Sequence, residues 1–193
     1  MLLDLLKERY SCRNFSNKKI PAEIIDYILE CGRLSASGGN EQPWKFGVVT
    51  DAATIKKLAE AASRNYRQDW VAGAPLVIAL CSQLFDNIDE AIAFVRFPSL
   101  HERIKAIDND VFAAVNMEEH QTKIPGEHMV IAALEHGIQS TWISSLDCEA
   151  AAEILGVKGY LVSNIIAFGY PARHEVPTAK KELKEIVFYE RFG

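Results

Sequence analysis

The ten residues SASGGNEQPW, Ser35 to Trp44, stand between two segments of different periodicity. Before them Ile24, Ile25, Ile28 and Leu29 recur at helical spacing after Pro21, a residue suited to a first helical turn. After them WKFGVVT, Trp44 to Thr50, is short and rich in residues that favour strands. The connection is costlier than a turn requires. Gly38 and Gly39 permit positive φ and a close approach of backbone to a flat ligand, while the amides of Asn40 and Gln42 present both donors and acceptors. Pro43 biases Gln42 away from helix. Taken alone, the stretch reads equally well as a helix end and a turn into a strand, with Trp44 in the core.

Working outward, Leu2, Leu3, Leu5 and Leu6 predict a first helix, and Ile55, Leu58 and Ala62 share one face of a third. PLVIALCS, Pro75 to Ser82, is a continuous apolar run and predicts a buried strand. MVIAALEHG predicts a helix from Met129 that stops at Gly137, and IQSTWIS leads out of it as a strand. LDCEAAAEILG is a helix capped by Asp147 and stopped by Gly156, and YLVSNIIAFGYP is the last strand. This alternation predicts a layered α/β or α+β domain. Residues 83–125 break the rhythm, being aromatic, charged and helical in pieces, and read as a functional cover, and the apolar IVFYERF of the tail is a poor candidate for free solvation.

With 193 residues, 49% hydrophobic and 24% charged, the chain reads as one globular domain. Its net charge of -5 provides no positive field for nucleic acid or anionic lipid. MLLDLLKERY carries Asp4 and no basic lead, which makes it a poor signal peptide, and no apolar stretch approaches the ~20 residues of a membrane span. A cytoplasmic protein is expected. Cys12, Cys31, Cys81 and Cys148 are widely spaced and read as reduced thiols. His128 and His136 lie ~12 Å apart along a helix, too far to share one ion, and no metal site is expected. Neither a Rossmann fingerprint, a P-loop nor a nucleophile elbow is present.

In RYSCR, Arg9, Ser11 and Arg13 alternate. If extended, they share one side and offer two guanidinium forks and a hydroxyl to a phosphate. As an isolated motif, two arginines near a helix end read more simply as surface charge complementing the helix dipole.

R-x-S-x-R followed by S-x-x-N-x-Q-P-W closely resembles the FMN-dependent nitroreductase family. The resemblance extends through AGAPLVIAL (72–80), the Ala132–Ala133 helix, STWISSLD (140–147) and FGYP (168–171), in order and over nearly the whole chain. It implies an α+β fold with a central, mostly antiparallel sheet flanked by helices, and a C-terminal segment exchanged in a homodimer. Residues 1–193 then form a single FMN-binding domain with 83–125 as a cover or substrate-side insertion.

By the same resemblance, Arg9, Ser11 and Arg13 hold the FMN phosphate and ribityl side, and Ser37, Asn40 and Gln42 lie along the flavin. Ile143, Ser144 and Ser145 lie by the isoalloxazine, where a backbone N–H approaches N5. Lys180 or Lys181 assists at the phosphate, as a point charge in place of a bidentate arginine. Arg13 is the candidate positive group near the pyrimidine edge, where it favours the anionic reduced flavin. The implied activity is hydride transfer from NAD(P)H through the flavin to a nitroaromatic, quinone or similar small-molecule acceptor. The flavin carries the chemistry, with no catalytic side chain expected. Other flavin chemistries among relatives (dehalogenation, dehydrogenation, flavin fragmentation) and a flavin-binding protein without turnover are the alternatives.

Overall fold

The computed structural model describes residues 1–63, 67–83, 102–103, 106 and 119–191. Five helices, α1 (Leu2–Glu8), α2 (Ala22–Arg33), α3 (Ala52–Ala62), α4 (Glu119–Leu134) and α5 (Cys148–Leu155), accompany four strands among these residues. The strands are β1 (Trp44–Val49), β2 (Leu76–Gln83), β3 (Gln139–Ile143) and β4 (Tyr160–Gly169). They form one sheet in the order β1-β2-β4-β3, antiparallel at every pairing. The α+β architecture with an antiparallel sheet is the one expected.

β2 lies at the centre, and its run from Leu76 to Ser82 is buried throughout because helices cover both faces of the sheet. Val77, Ala79 and Cys81 pack with Val162, Ile165 and Ala167 of β4 and with Ile55, Leu58 and Ala62 of α3. Leu76, Ile78 and Leu80 point the other way, towards Ile28 of α2, Met129 and Ala133 of α4, and Ile166 and Phe168. Each fully buried Leu, Ile or Phe contributes roughly 1.5–3 kcal/mol, so these two clusters are the main favourable term holding the layers together.

Asp51 and Asp147 cap α3 and α5, accepting from the backbone N–H groups of Thr54 and Ala150 at 2.8 and 2.9 Å. Gly137 and Gly156 follow α4 and α5 with φ of 70° and 66°, the left-handed conformation that the helix-stop reading requires.

One boundary and the burial of the apolar tail differ from expectation. α4 begins at Glu119, ten residues before Met129, and carries Pro125 inside it. Its apolar residues are not gathered on one face, and proline removes a backbone donor, so neither periodicity nor propensity marks this first half. The expected cover at 83–125 therefore ends within a helix, while residues 84–101, 104–105 and 107–118 lie outside the described residues. The second difference is at the ends of the chain. α1 has no buried residue, with Leu2 and Leu3 57% and 59% exposed, and Leu183, Ile186, Phe188 and Tyr189 of the tail are exposed as well.

Candidate functional site

The RYSCR segment is extended where it leaves α1. Arg9 ends the helix with φ −70° and ψ 129°, and Ser11 bridges Ser140 in parallel. β3 is an edge strand, and the segment satisfies that edge. The Cys12 N–H donates to the Ser140 carbonyl at 3.2 Å, Thr141 Oγ1 donates to the Cys12 carbonyl, and the Tyr10 N–H donates to Gln139 Oε1 at 3.3 Å. Alternation then sorts the side chains: Tyr10 and Cys12 are buried, Arg9 is half-buried, and Ser11 and Arg13 are exposed. Burial pushes both the Tyr10 phenol and the Cys12 thiol above their usual range, so the inward residues are neutral packing groups. All four cysteines are free thiols, and burial pushes Cys81 up to about 11.

Among the described residues, neither Arg9 nor Arg13 is paired with a carboxylate. The Arg13 guanidinium lies 5.7 Å from the centre of the Trp70 ring, a cation–π contact that leaves its N–H donors free for an anion. Trp70 also packs against Phe15 at 6.5 Å. Two residues earlier, Gln68 Nε2 donates to the carbonyls of Ala62 and Ser145, at 3.0 and 3.1 Å. The segment 67–70 thus connects the arginine motif with the end of β3. There Ile143 is buried, Ser144 is exposed and Ser145 is half-buried.

The Ser35–Trp44 loop is held mainly by its own atoms and by α4. Ser35 Oγ is hydrogen-bonded to His128 Nδ1 at 2.7 Å, and the Gly38 N–H donates to Gln121 Oε1 at 3.0 Å. Ser37 Oγ accepts from the Gln42 N–H at 2.9 Å, and Gln42 Nε2 donates to the Asn40 carbonyl at 3.1 Å. Gly39, Asn40 and Gln42 take positive φ, at 55°, 58° and 50°, whereas Gly38 does not. For Gln42 that conformation is strained, and the two hydrogen bonds within the loop hold it there. The Asn40 side chain remains exposed.

The sheet decides which expected site residues meet within one chain. Arg9, Ser11 and Arg13 lie along β3 and share that edge with Ile143, Ser144 and Ser145. Ser37, Asn40 and Gln42 precede β1, the opposite edge. Three strand spacings of about 4.8 Å separate the edges, on the order of 14 Å. Lys180 and Lys181 are on the exposed tail. That tail leaves β4 beside the first motif, where the Ala172 N–H donates to the Asn14 carbonyl at 2.9 Å and Tyr10 Oη donates to the Arg173 carbonyl at 3.3 Å.

Three contributors escaped the sequence reading. Gln68 and Trp70 follow a helix in a segment with no periodic signal. Asn164 is fully buried in β4, where it donates from Nδ2 to Ser144 Oγ at 2.8 Å, and a lone amide inside the apolar run YLVSNIIAF was the available cue.

Comparison with known proteins gives a consistent result. The model of the nitroreductase family matches residues 6–170. NADH dehydrogenase of Thermus thermophilus is 28% identical over 192 residues, covering 94% of this chain and 92% of its own. The major NAD(P)H-flavin oxidoreductase of Aliivibrio fischeri is 25% identical over 207 residues, covering 94% and 95%. The solved structure of an FMN-dependent nitroreductase from Clostridium difficile superposes with a TM-score of 0.75 at 21% identity, over 98% of this chain and 99% of that one.

Proposed function

Because the chain belongs to the nitroreductase family, we propose that it is an oxidoreductase that binds FMN and carries reducing equivalents from NAD(P)H to a nitroaromatic, quinone or similar small acceptor. The observation that carries this reading is the outward side of residues 9–13. Arg9, Ser11 and Arg13 occupy alternate positions of an extended segment pinned to β3, with no carboxylate partner among the described residues, and adjacent to the Ser144–Ser145 end of that strand. Two guanidinium groups and a hydroxyl suit one phosphate, and no glycine-rich loop is present to cradle a pyrophosphate, so the donor set fits FMN better than a dinucleotide. The redox partners are supported by the names of the relatives, which specify NADH, NAD(P)H and flavin.

When bound, FMN supplies the two-electron relay between reductant and acceptor. The residues of this chain bind and orient. Arg9, Ser11 and Arg13 would hold the phosphate and ribityl side, with Lys180 or Lys181 adding charge from the tail. Arg13, backed by Trp70, would also offer positive charge towards the pyrimidine edge, and the backbone of 143–145 would lie by the isoalloxazine. No side chain of this set is a general acid, and water supplies the proton that the acceptor takes up.

In this reading the protein works as a homodimer in the cytoplasm. Ser37, Asn40 and Gln42 serve a flavin held mainly by the partner, which accounts for the separation of the two edges of the sheet. The exposed leucines of α1 and the apolar tail supply the surface for association. Residues 1–193 act as one domain. Among the described residues no helix is long and apolar enough to cross a membrane.

Denaturing the purified protein and chromatographing the released flavin tests the cofactor, and FMN is the expected product. Oxidation of NADH and NADPH in the presence of menadione or nitrofurazone tests the activity. Bound FMN without turnover would leave a flavin-binding protein, and a protein that never takes up saturating FMN would defeat the reading at its base.

A further inference from the structure

β4 is apolar along most of its length except at Ser163 and Asn164, beside the shift in register between Leu80 and Cys81 of β2. Ser163 is well accommodated. Its hydroxyl donates to the Leu80 carbonyl at 3.2 Å and lies 3.4 Å from both Ser82 Oγ and Thr122 Oγ1. Asn164 is different, because it is fully buried and its Oδ1 has no hydrogen-bond partner among the described residues. A leucine of similar size at that position would avoid stranding a polar oxygen in an apolar layer. The interaction set against that cost is the 2.8 Å bond from Asn164 Nδ2 to Ser144 Oγ.

That bond gives the Ser144 hydroxyl a direction. A serine hydroxyl has one proton and two lone pairs, and accepting from Asn164 occupies a lone pair and leaves the proton to be donated elsewhere. Ser144 is exposed while Asn164 lies beneath it, so the free proton is on the outer side, next to the backbone that the flavin reading places at the ring. We propose that Asn164 is a positioning residue that holds Ser144 as an outward hydrogen-bond donor to the isoalloxazine of bound FMN. The side chain of Ser144 then adds to the backbone contact of the same segment. This inference rests on the FMN reading above.

The test is titration of apo-protein with FMN, followed by flavin fluorescence, for the parent, Ser144→Ala, Ser144→Thr, Asn164→Leu and the Ser144→Ala/Asn164→Leu double variant. Losing this donor should weaken binding about three- to tenfold in Ser144→Ala and in Asn164→Leu. Ser144→Thr keeps a hydroxyl and should bind like the parent, and the double variant should fall no further than Ser144→Ala alone. If Asn164→Leu does not fold, the two Ser144 variants still test whether the Ser144 hydroxyl is the donor. Parent-like binding by Ser144→Ala overturns the proposal while leaving FMN binding intact, and a full additional loss from Asn164→Leu in the Ser144→Ala background overturns it too. A parent that binds no FMN removes the underlying reading and this inference with it.

Discussion

The side-chain amide of Gln68 donates to the carbonyl of Ser145 at 3.1 Å, joining the segment after α3 to the end of β3 across 77 residues of sequence. With its second donation, to Ala62 at 3.0 Å, this half-buried amide ties the arginine-bearing edge of the site to the helical layer. Gln68→Ala removes both bonds. At 0.5–1.5 kcal/mol each, the loss should be about 1–3 kcal/mol. Urea denaturation measures it, and an unchanged midpoint would mean that the two carbonyls are satisfied without Gln68.

Gly126 of α4 faces the sheet so closely that an added Cβ would lie 2.7 Å from Leu80 Cδ1 and against the Trp142 ring. Alanine gains roughly 1 kcal/mol of helix propensity over glycine, but overpacking a core costs about 1–3 kcal/mol. Leu80 is fully buried and has nowhere to retreat, so packing should win and Gly126→Ala should lower the melting temperature. A more stable variant would show that α4 can lift from the sheet.

Arg9→Ala and Arg13→Ala should each weaken FMN binding about tenfold or more, the effect of losing a charged partner worth roughly 1.5–3 kcal/mol. Folding should survive, since neither arginine is buried. Titration curves that coincide with the parent would assign both residues to ordinary surface charge.

Truncation after Pro177 removes Lys180, Lys181 and the apolar set from Leu183 to Phe192. If the tail docks on a partner, the product should be monomeric or aggregated and should lose its flavin. Size-exclusion chromatography with light scattering and dual absorbance reads both properties at once. A monomer that keeps one FMN per chain would reduce the tail to a dispensable extension.

Asp51 supplies a pH-dependent element. Hydrogen bonds from the Thr54 hydroxyl and backbone N–H hold its carboxyl below the usual range. A folded-state pKa below the unfolded value means that the contribution is complete above the unfolded value, near pH 4, and fades as pH falls through the lower folded value. Asp51→Ala should therefore be less stable than the parent at pH 7, with the gap narrowing below about pH 4. A constant gap from pH 7 to pH 3 would separate the cap from its charge.

Local chemistry was legible in the residues themselves. Alternation in RYSCR placed Arg9, Ser11 and Arg13 on one side, the Asp147 and Gly156 signals bounded α5, and the unbroken apolar run of β2 announced a strand covered on both faces. These are short-range properties, set by backbone period and capping within a few residues. Strand order is different in kind. Which edge β1 and β3 occupy depends on the pairing of β2 with β4, whose partners lie 77 to 92 residues apart, and the alternation within one strand carries no record of its neighbours. Only the folded chain could therefore separate Ser37, Asn40 and Gln42 from the arginine edge, draw Gln68 to Ser145, and set Asn164 beneath Ser144. The helical character of Glu119 to His128 was likewise undecided locally, because propensity there is interrupted by Pro125 and the helix is held by packing against Leu80 and Trp142.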